Sequence, residues 1–193
     1  MRRALLISVR MALVTIALTG IVYPLVVWGF SAVAFPKQAN GSLIKDAAGT
    51  VIGSRLIGQS FTADKYFHPR PSAAGSGYDA MASSFSNLGP TNRVLISAVA
   101  TRVLDAVRTD GAESGKVPVD MVTSSASGLD PDISPDSAYL QVARVAKARR
   151  MSDSVVRALV AAHTTSRQLG FLGEPRVNVL ELNLALDAGA NAK

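Results

Sequence analysis

Hydrophobic positions dominate one stretch of this chain above all others. Met11 to Phe35 is a run of 25 residues without a charge, made mostly of Val, Leu, Ile and Ala. As a helix at ~1.5 Å per residue it would extend ~37 Å, enough to cross a ~30 Å hydrocarbon core with some tilt. Arg2, Arg3 and Arg10 precede the run, whereas Lys37 and Lys45 follow it. That bias leaves the short N-terminus in the cytoplasm. The pattern therefore predicts a cytoplasmic segment at 1–10, a transmembrane helix at 11–35 and an extracytoplasmic remainder at 36–193. A cleaved signal peptide is the competing reading, with Ala32-Val33-Ala34 as its cleavage site. Its apolar region would span only ~7–15 residues, which favours a retained anchor, and either reading exports the same domain.

Within the run, Pro24 cannot donate to the carbonyl of Gly20 and predicts a kink there. Ala12, Thr15, Thr19 and Tyr23 share a helical face by their spacing. Together with Gly20 and Pro24 they form a candidate surface for close approach by another membrane helix. The alternative is that Gly and Pro are merely common in membrane helices.

Beyond Phe35 the pattern shortens and mixes. Asn40-Gly41 and Ala48-Gly49 bracket short apolar runs and predict a small hairpin. Ile57 to Gly89 clusters aromatics among Gly, Pro and Ser and reads as loop. Asn92 predicts a helix start, with Leu95, Ile96, Val99, Val103, Leu104 and Val107 at helical spacing to about Arg108. Val117 to Val122 reads as a short strand, and Ser124 to Pro135 as a turn-forming run. Ser134-Pro135-Asp136 opens a further helix with Val142, Val145 and Ala146 on its apolar side. Ser152 caps the next, whose stripe Val156, Leu159, Val160 and His163 can be stapled by Met151. Arg176 to Leu180 alternates like a strand and turns into a short helix. The fold class expected is α+β: one N-terminal transmembrane helix and one compact mixed helix/strand domain outside the membrane.

Charge adds little. The net charge is +6, but the three N-terminal arginines leave 17 basic against 14 acidic residues in the rest, too mild an excess to indicate nucleic acid. With no cysteine, disulfides, thiolate metal sites and thiol nucleophiles are excluded. Ser42-Leu43-Ile44-Lys45 lacks the companion elements of penicillin-interacting serine enzymes. Gly75 to Ala80 fits a dinucleotide fingerprint without the preceding strand and reads as a flexible turn, and Gly111 to Lys116 is one residue short of a P-loop. No metal, cofactor or ATP site of its own is indicated. Of the two histidines, His163 reads as a boundary residue and His68 sits among aromatics, prolines and Arg70. A hydrolase built around His68 and a membrane-anchored sensor or ligand-binding domain both stay open. Gln59 to Ser72 and Ser125 to Pro131 combine turn-fixing residues with directional groups, so Gln59, Phe61, Phe67, His68, Arg70, Ser125, Ser127 and Asp130 are the candidate partner-contact or domain-ordering residues.

Several ordered landmarks carry a resemblance. They are Thr19-Gly20 with Tyr23-Pro24, Phe35-Pro36 with Gln38 to Leu43, Leu56-Ile57-Gly58-Gln59, Tyr66-Phe67-His68, Arg70 to Ala73, Ser125 to Asp130, Arg144 to Arg149, and Val177-Asn178-Val179 leading to Leu182 to Asp187. In this order the chain closely resembles the C subunit of Kdp-type potassium-transporting P-type ATPases. Phe85 and Asp132 depart from that pattern, where glycine and histidine respectively are expected. The resemblance implies a non-catalytic, single-span accessory subunit of an inner-membrane potassium importer. Its partners would be a potassium-translocating subunit, an ATP-hydrolysing subunit and membrane lipid, with ATP entering only through the hydrolysing subunit. Chains of this kind are described as raising that subunit's ATP affinity, which an extracytoplasmic domain would have to do by linkage through helix packing or assembly.

Overall fold

The computed structural model describes residues 1–46 and 48–190. The chain divides into two compact units, Met1–Ser54 and Arg55–Lys193, so the hairpin groups with the apolar helix and the second unit begins at Arg55.

The first unit is led by α1 (Arg2–Ala34), 33 residues with none buried. The helix starts nine residues before the expected boundary at Met11. Arg2 to Arg10 contains no helix breaker, so helix propensity carries the structure through the arginines, whose long stems can carry their charge to the interface. It ends at Ala34 because Phe35, preceding Pro36, is held out of the helical region at φ −136° and ψ 56°. Pro24 acts on the turn before it. Ala17–Val22 is wound as a π-helix, and Tyr23 N–H reaches the carbonyl of Leu18, five residues back. This widened turn takes up the bonding that proline disrupts. α2 (Pro36–Ala39) is a single turn, followed by the predicted hairpin of β1 (Leu43–Lys45) and β2 (Val51–Ser54), antiparallel with a register shift at Ile44/Lys45.

The second unit is α+β. α3 (Arg93–Asp110) starts where Asn92 accepts from Val94 N–H and ends on Gly111 at φ +70°. The expected strand over Val117 to Val122 is instead a turn of helix, α4 (Val119–Val122), entered from Pro118. Pro118 cannot donate to a ladder, and Asp120 accepts from Ser134 N–H instead of pairing in a sheet. β3 (Asp132–Ile133) lies inside the expected turn run. α5 (Pro135–Arg149) starts on Ser134, whose Oγ accepts from Ser137 N–H, while Asp120 accepts from Ser134 and from Ser137 Oγ. Arg150, at φ +55°, closes α5 in a left-handed cap and turns the chain into α6 (Asp153–Ala162). Ser152 precedes α6 without a side-chain capping bond. β4 (Thr164–Thr165) and β5 (Arg176–Asn178) follow, and β5 turns directly into α7 (Val179–Ala190).

β5 is central in a three-stranded antiparallel sheet ordered β3-β5-β4. Against it α5, α6 and α7 pack Val142, Val145, Ala146, Val156, Val160, Leu182 and Leu186 around Phe67, Ile133 and Val177. Each fully buried Val, Leu or Phe among these contributes ~1.5–3 kcal/mol. The core is thus drawn largely from the last third of the chain plus one loop aromatic, Phe67.

Candidate functional site

The loop containing Tyr66, Phe67 and His68 has no secondary structure of its own, and three polar side chains from the helices fix its backbone. Asn183 on α7 bonds both sides of Phe67, accepting from its N–H at 2.8 Å and donating to its carbonyl at 3.0 Å. Gln141 on α5 does the same to His68, at 2.7 and 3.1 Å. Arg144 donates through Nη1 to the carbonyls of Asp64 and Tyr66 at 2.7 and 2.9 Å. Its Nη2 donates to Gln141 Oε1 at 2.6 Å and its Nε to Asp110 at 2.7 Å. The Arg144–Asp110 pair is 6% and 4% exposed. Five residues farther along α5, Arg149 bonds the Lys65 carbonyl and Asp187 while stacking 5.0 Å over the Tyr66 ring. Its main engagement is with this loop, beyond the helix-end role read from sequence.

The two candidate segments meet. Gly58 N–H donates to the Leu129 carbonyl, Ser72 Oγ to the Gly128 carbonyl at 2.6 Å, and Arg70 Nη1 to Asp130 Oδ2 at 2.7 Å. Tyr78 OH donates to the Arg70 carbonyl, and burial pushes the phenol well above its ordinary range. The backbones approach so closely that a Cβ on Gly58 would stand 2.5 Å from the Asp130 carbonyl oxygen. Gly75 to Tyr78 turns back against this seam, with Tyr78 N–H donating to Ser72 Oγ.

Of the predicted contact residues, Phe67 is fully buried and Ser125 nearly so, with Ser125 Oγ accepting from Gly128 N–H. They order the domain and present no surface to a partner. Phe61 packs on the core and against the Tyr66 ring at 5.4 Å. Gln59, His68, Arg70 and Asp130 are half-buried, and Ser127 is exposed. Arg70 and Asp130 line a cleft of about 500 Å³ with Asp120, Asp132, Glu174 and Arg176. Among the described residues Arg70 Nε is buried and meets no acceptor. Asp132 pairs with Arg176 at 3.1 Å and accepts from Asn178. Burial raises its carboxyl pKa, opposed first by the Arg176 charge. The membrane candidates Ala12, Thr15, Thr19, Gly20, Tyr23 and Pro24 are all exposed along α1.

His68 is half-buried with Nε2 3.3 Å from the Ala63 carbonyl. Desolvation, and then the nearby Arg144 charge, lower its pKa from the ordinary 6.5. As pH falls below about 6.5 the unfolded chain takes up a proton that the folded one refuses, so stability is lost as pH drops through the depressed folded value. The unfolding midpoint should therefore fall between pH 7.5 and 5.5, and His68→Gln should flatten that fall. An identical slope in the variant would refute the assignment.

No group of three or more His, Cys, Asp or Glu stands together as a metal cage among the described residues. The family model described as K+-transporting ATPase, c chain, matches residues 5–188. The chain belongs to the KdpC family. A potassium-transporting ATPase KdpC subunit of Gemmatimonas aurantiaca is 58% identical over 189 residues, covering 97% of this chain and 92% of that protein. The namesake of Koribacter versatilis is 56% identical over 187 residues, covering 97% and 95%. That of Mycobacterium tuberculosis is 57% identical over 188 residues, covering 97% and 99%. The KdpC match takes in α1 and the second unit alike, as the sequence landmarks implied.

Sequence reading missed Gln141, Arg144 and Asn183 as site-forming residues. The signal was there: each falls in phase with an apolar stripe, Gln141 and Arg144 beside Val142 and Val145, Asn183 beside Leu182. A polar residue on a core-facing stripe requires a partner, and here the partner is loop backbone.

Proposed function

We propose that this chain is an accessory, single-span subunit of an ATP-driven potassium importer in the inner membrane, and that it holds the transport complex in its working assembly from outside. The observation that carries this reading is the seam itself. Two loops from distant parts of the chain are fastened at Arg70–Asp130, beside a cleft lined by both acidic and basic side chains that a partner segment can enter. The partners are the potassium-translocating and ATP-hydrolysing subunits, and an effect on ATP affinity would reach the latter through assembly.

Topology is tested directly. The chain has no cysteine, and Met81 is 98% exposed. Met81→Cys should react with an impermeant thiol reagent on intact spheroplasts, and the protein should keep its full-length mass. Labelling only after membrane disruption would place the domain inside. A cysteine at Ala192 would serve the same purpose, but that position lies outside the described residues.

A further inference from the structure

Residues 166–174, between β4 and β5, are all exposed. At their tip Leu169, Phe171 and Leu172 are 82%, 68% and 47% exposed, three large apolar side chains within four positions that add nothing to the core. The tip is nevertheless built. Gln168 and Leu172 exchange both backbone hydrogen bonds at 2.9 Å, and Arg167 and Gln168 carbonyls accept from Gly170 and Phe171 N–H. Leu169 is held at φ +53°, a region a leucine rarely adopts, ahead of Gly170 at +83°. Below the tip Arg167 Nη2 donates to Glu174, an ion pair across the neck.

Such a preorganised aromatic and aliphatic knob has the form of an interface anchor, because little freedom is lost when it is buried. A lipid surface is the poorer occupant. Tips that enter the headgroup region are favoured by unpaired Lys or Arg, whereas the one cation of this neck is neutralised by a largely exposed Glu174. We infer that the Leu169–Leu172 tip inserts into an apolar pocket, rimmed by polar groups, on another subunit of the same transporter. This rests on the reading of the chain as an assembling subunit and adds a second contact to the seam.

The test uses the full chain co-expressed with the other transporter subunits. Phe171→Asp should reduce their co-purification at least tenfold, while the unfolding midpoint of the chain stays unchanged. Phe171→Leu should retain most of the recovery, and Met81→Asp, at a still more exposed site, should retain all of it. In addition, Phe171→Cys carrying acrylodan should shift its emission to the blue when the purified chain in nanodiscs is combined with the other subunits. A blue shift in nanodiscs of the chain alone would assign the tip to lipid or to a second copy and overturn the inference. Unchanged recovery of Phe171→Asp, with recovery lost in a folded Arg70→Lys variant, would overturn the tip alone. Full recovery in both would remove the assembly reading as well.

Discussion

Arg144→Met should cost the domain roughly 3–5 kcal/mol, the range for breaking a buried ion pair from one side. Methionine fills much of the volume but leaves Asp110 charged and 4% exposed without its cation. It also strips the Asp64 and Tyr66 carbonyls and Gln141 Oε1 of a donor. Against a total stability of ~5–15 kcal/mol this is a large fraction. The unfolding midpoint of the detergent-solubilised chain should fall by roughly 10–15 °C. Arg144→Lys, which keeps the charge but not the planar fork, should fall between. Because Gln141 also fixes His68, the loss should spread to the whole Asp64 to His68 loop, read as faster amide exchange there. A midpoint within two or three degrees of the parent, on the order of 1 kcal/mol, would mean that the loop is held by something else.

Gly20→Leu should sharply lower recovery of partner membrane subunits without disturbing α1 itself. A Cβ built on Gly20 meets only Ile16 Cγ2, at 3.9 Å, an ordinary contact, so the isolated helix accommodates a side chain there. Any cost must arise where another helix approaches the face carrying Thr15, Thr19 and Tyr23, since a leucine holds backbones apart that a glycine lets close. Thr19 Oγ1 donates to the Thr15 carbonyl at 2.7 Å, so this hydroxyl is already bonded within its own helix. Recovery should drop about tenfold, equivalent to ~1.4 kcal/mol, while Leu25→Ile changes little. Equal yields from both variants would reduce the span to an anchor.

What was legible in the sequence was what short-range chemistry decides. Asn92, Ser134 with Pro135, and the stripe through Val142, Val145, Val156 and Val160 announced their helices because caps and periodicity act within a few residues. The strand expected at Val117 to Val122 failed because six residues of alternating character do not distinguish a strand from a helical turn, and Pro118 and Asp120 settled it through a contact with Ser134, 14 positions on. The seam was half legible: turn residues marked Gln59 to Ser72 and Ser125 to Pro131, but their meeting at Arg70–Asp130 joins positions 60 apart. The loop setting of Phe67 leaves contact and domain-ordering roles equally open. Its burial follows from Asn183, 116 residues away, which satisfies the Phe67 backbone and lets the ring enter the core.

The most direct measurement compares complex recovery with the ATP dependence of potassium-stimulated hydrolysis in Arg70→Lys. The lysine preserves a cation for Asp130, so the domain should fold, as its unfolding midpoint will show, but it removes the planar guanidinium that lines the cleft. If the chain acts by holding the assembly together, fewer intact complexes are recovered, and each shows the parent turnover and Michaelis constant for ATP. Full recovery of complexes with a raised Michaelis constant for ATP would contradict it.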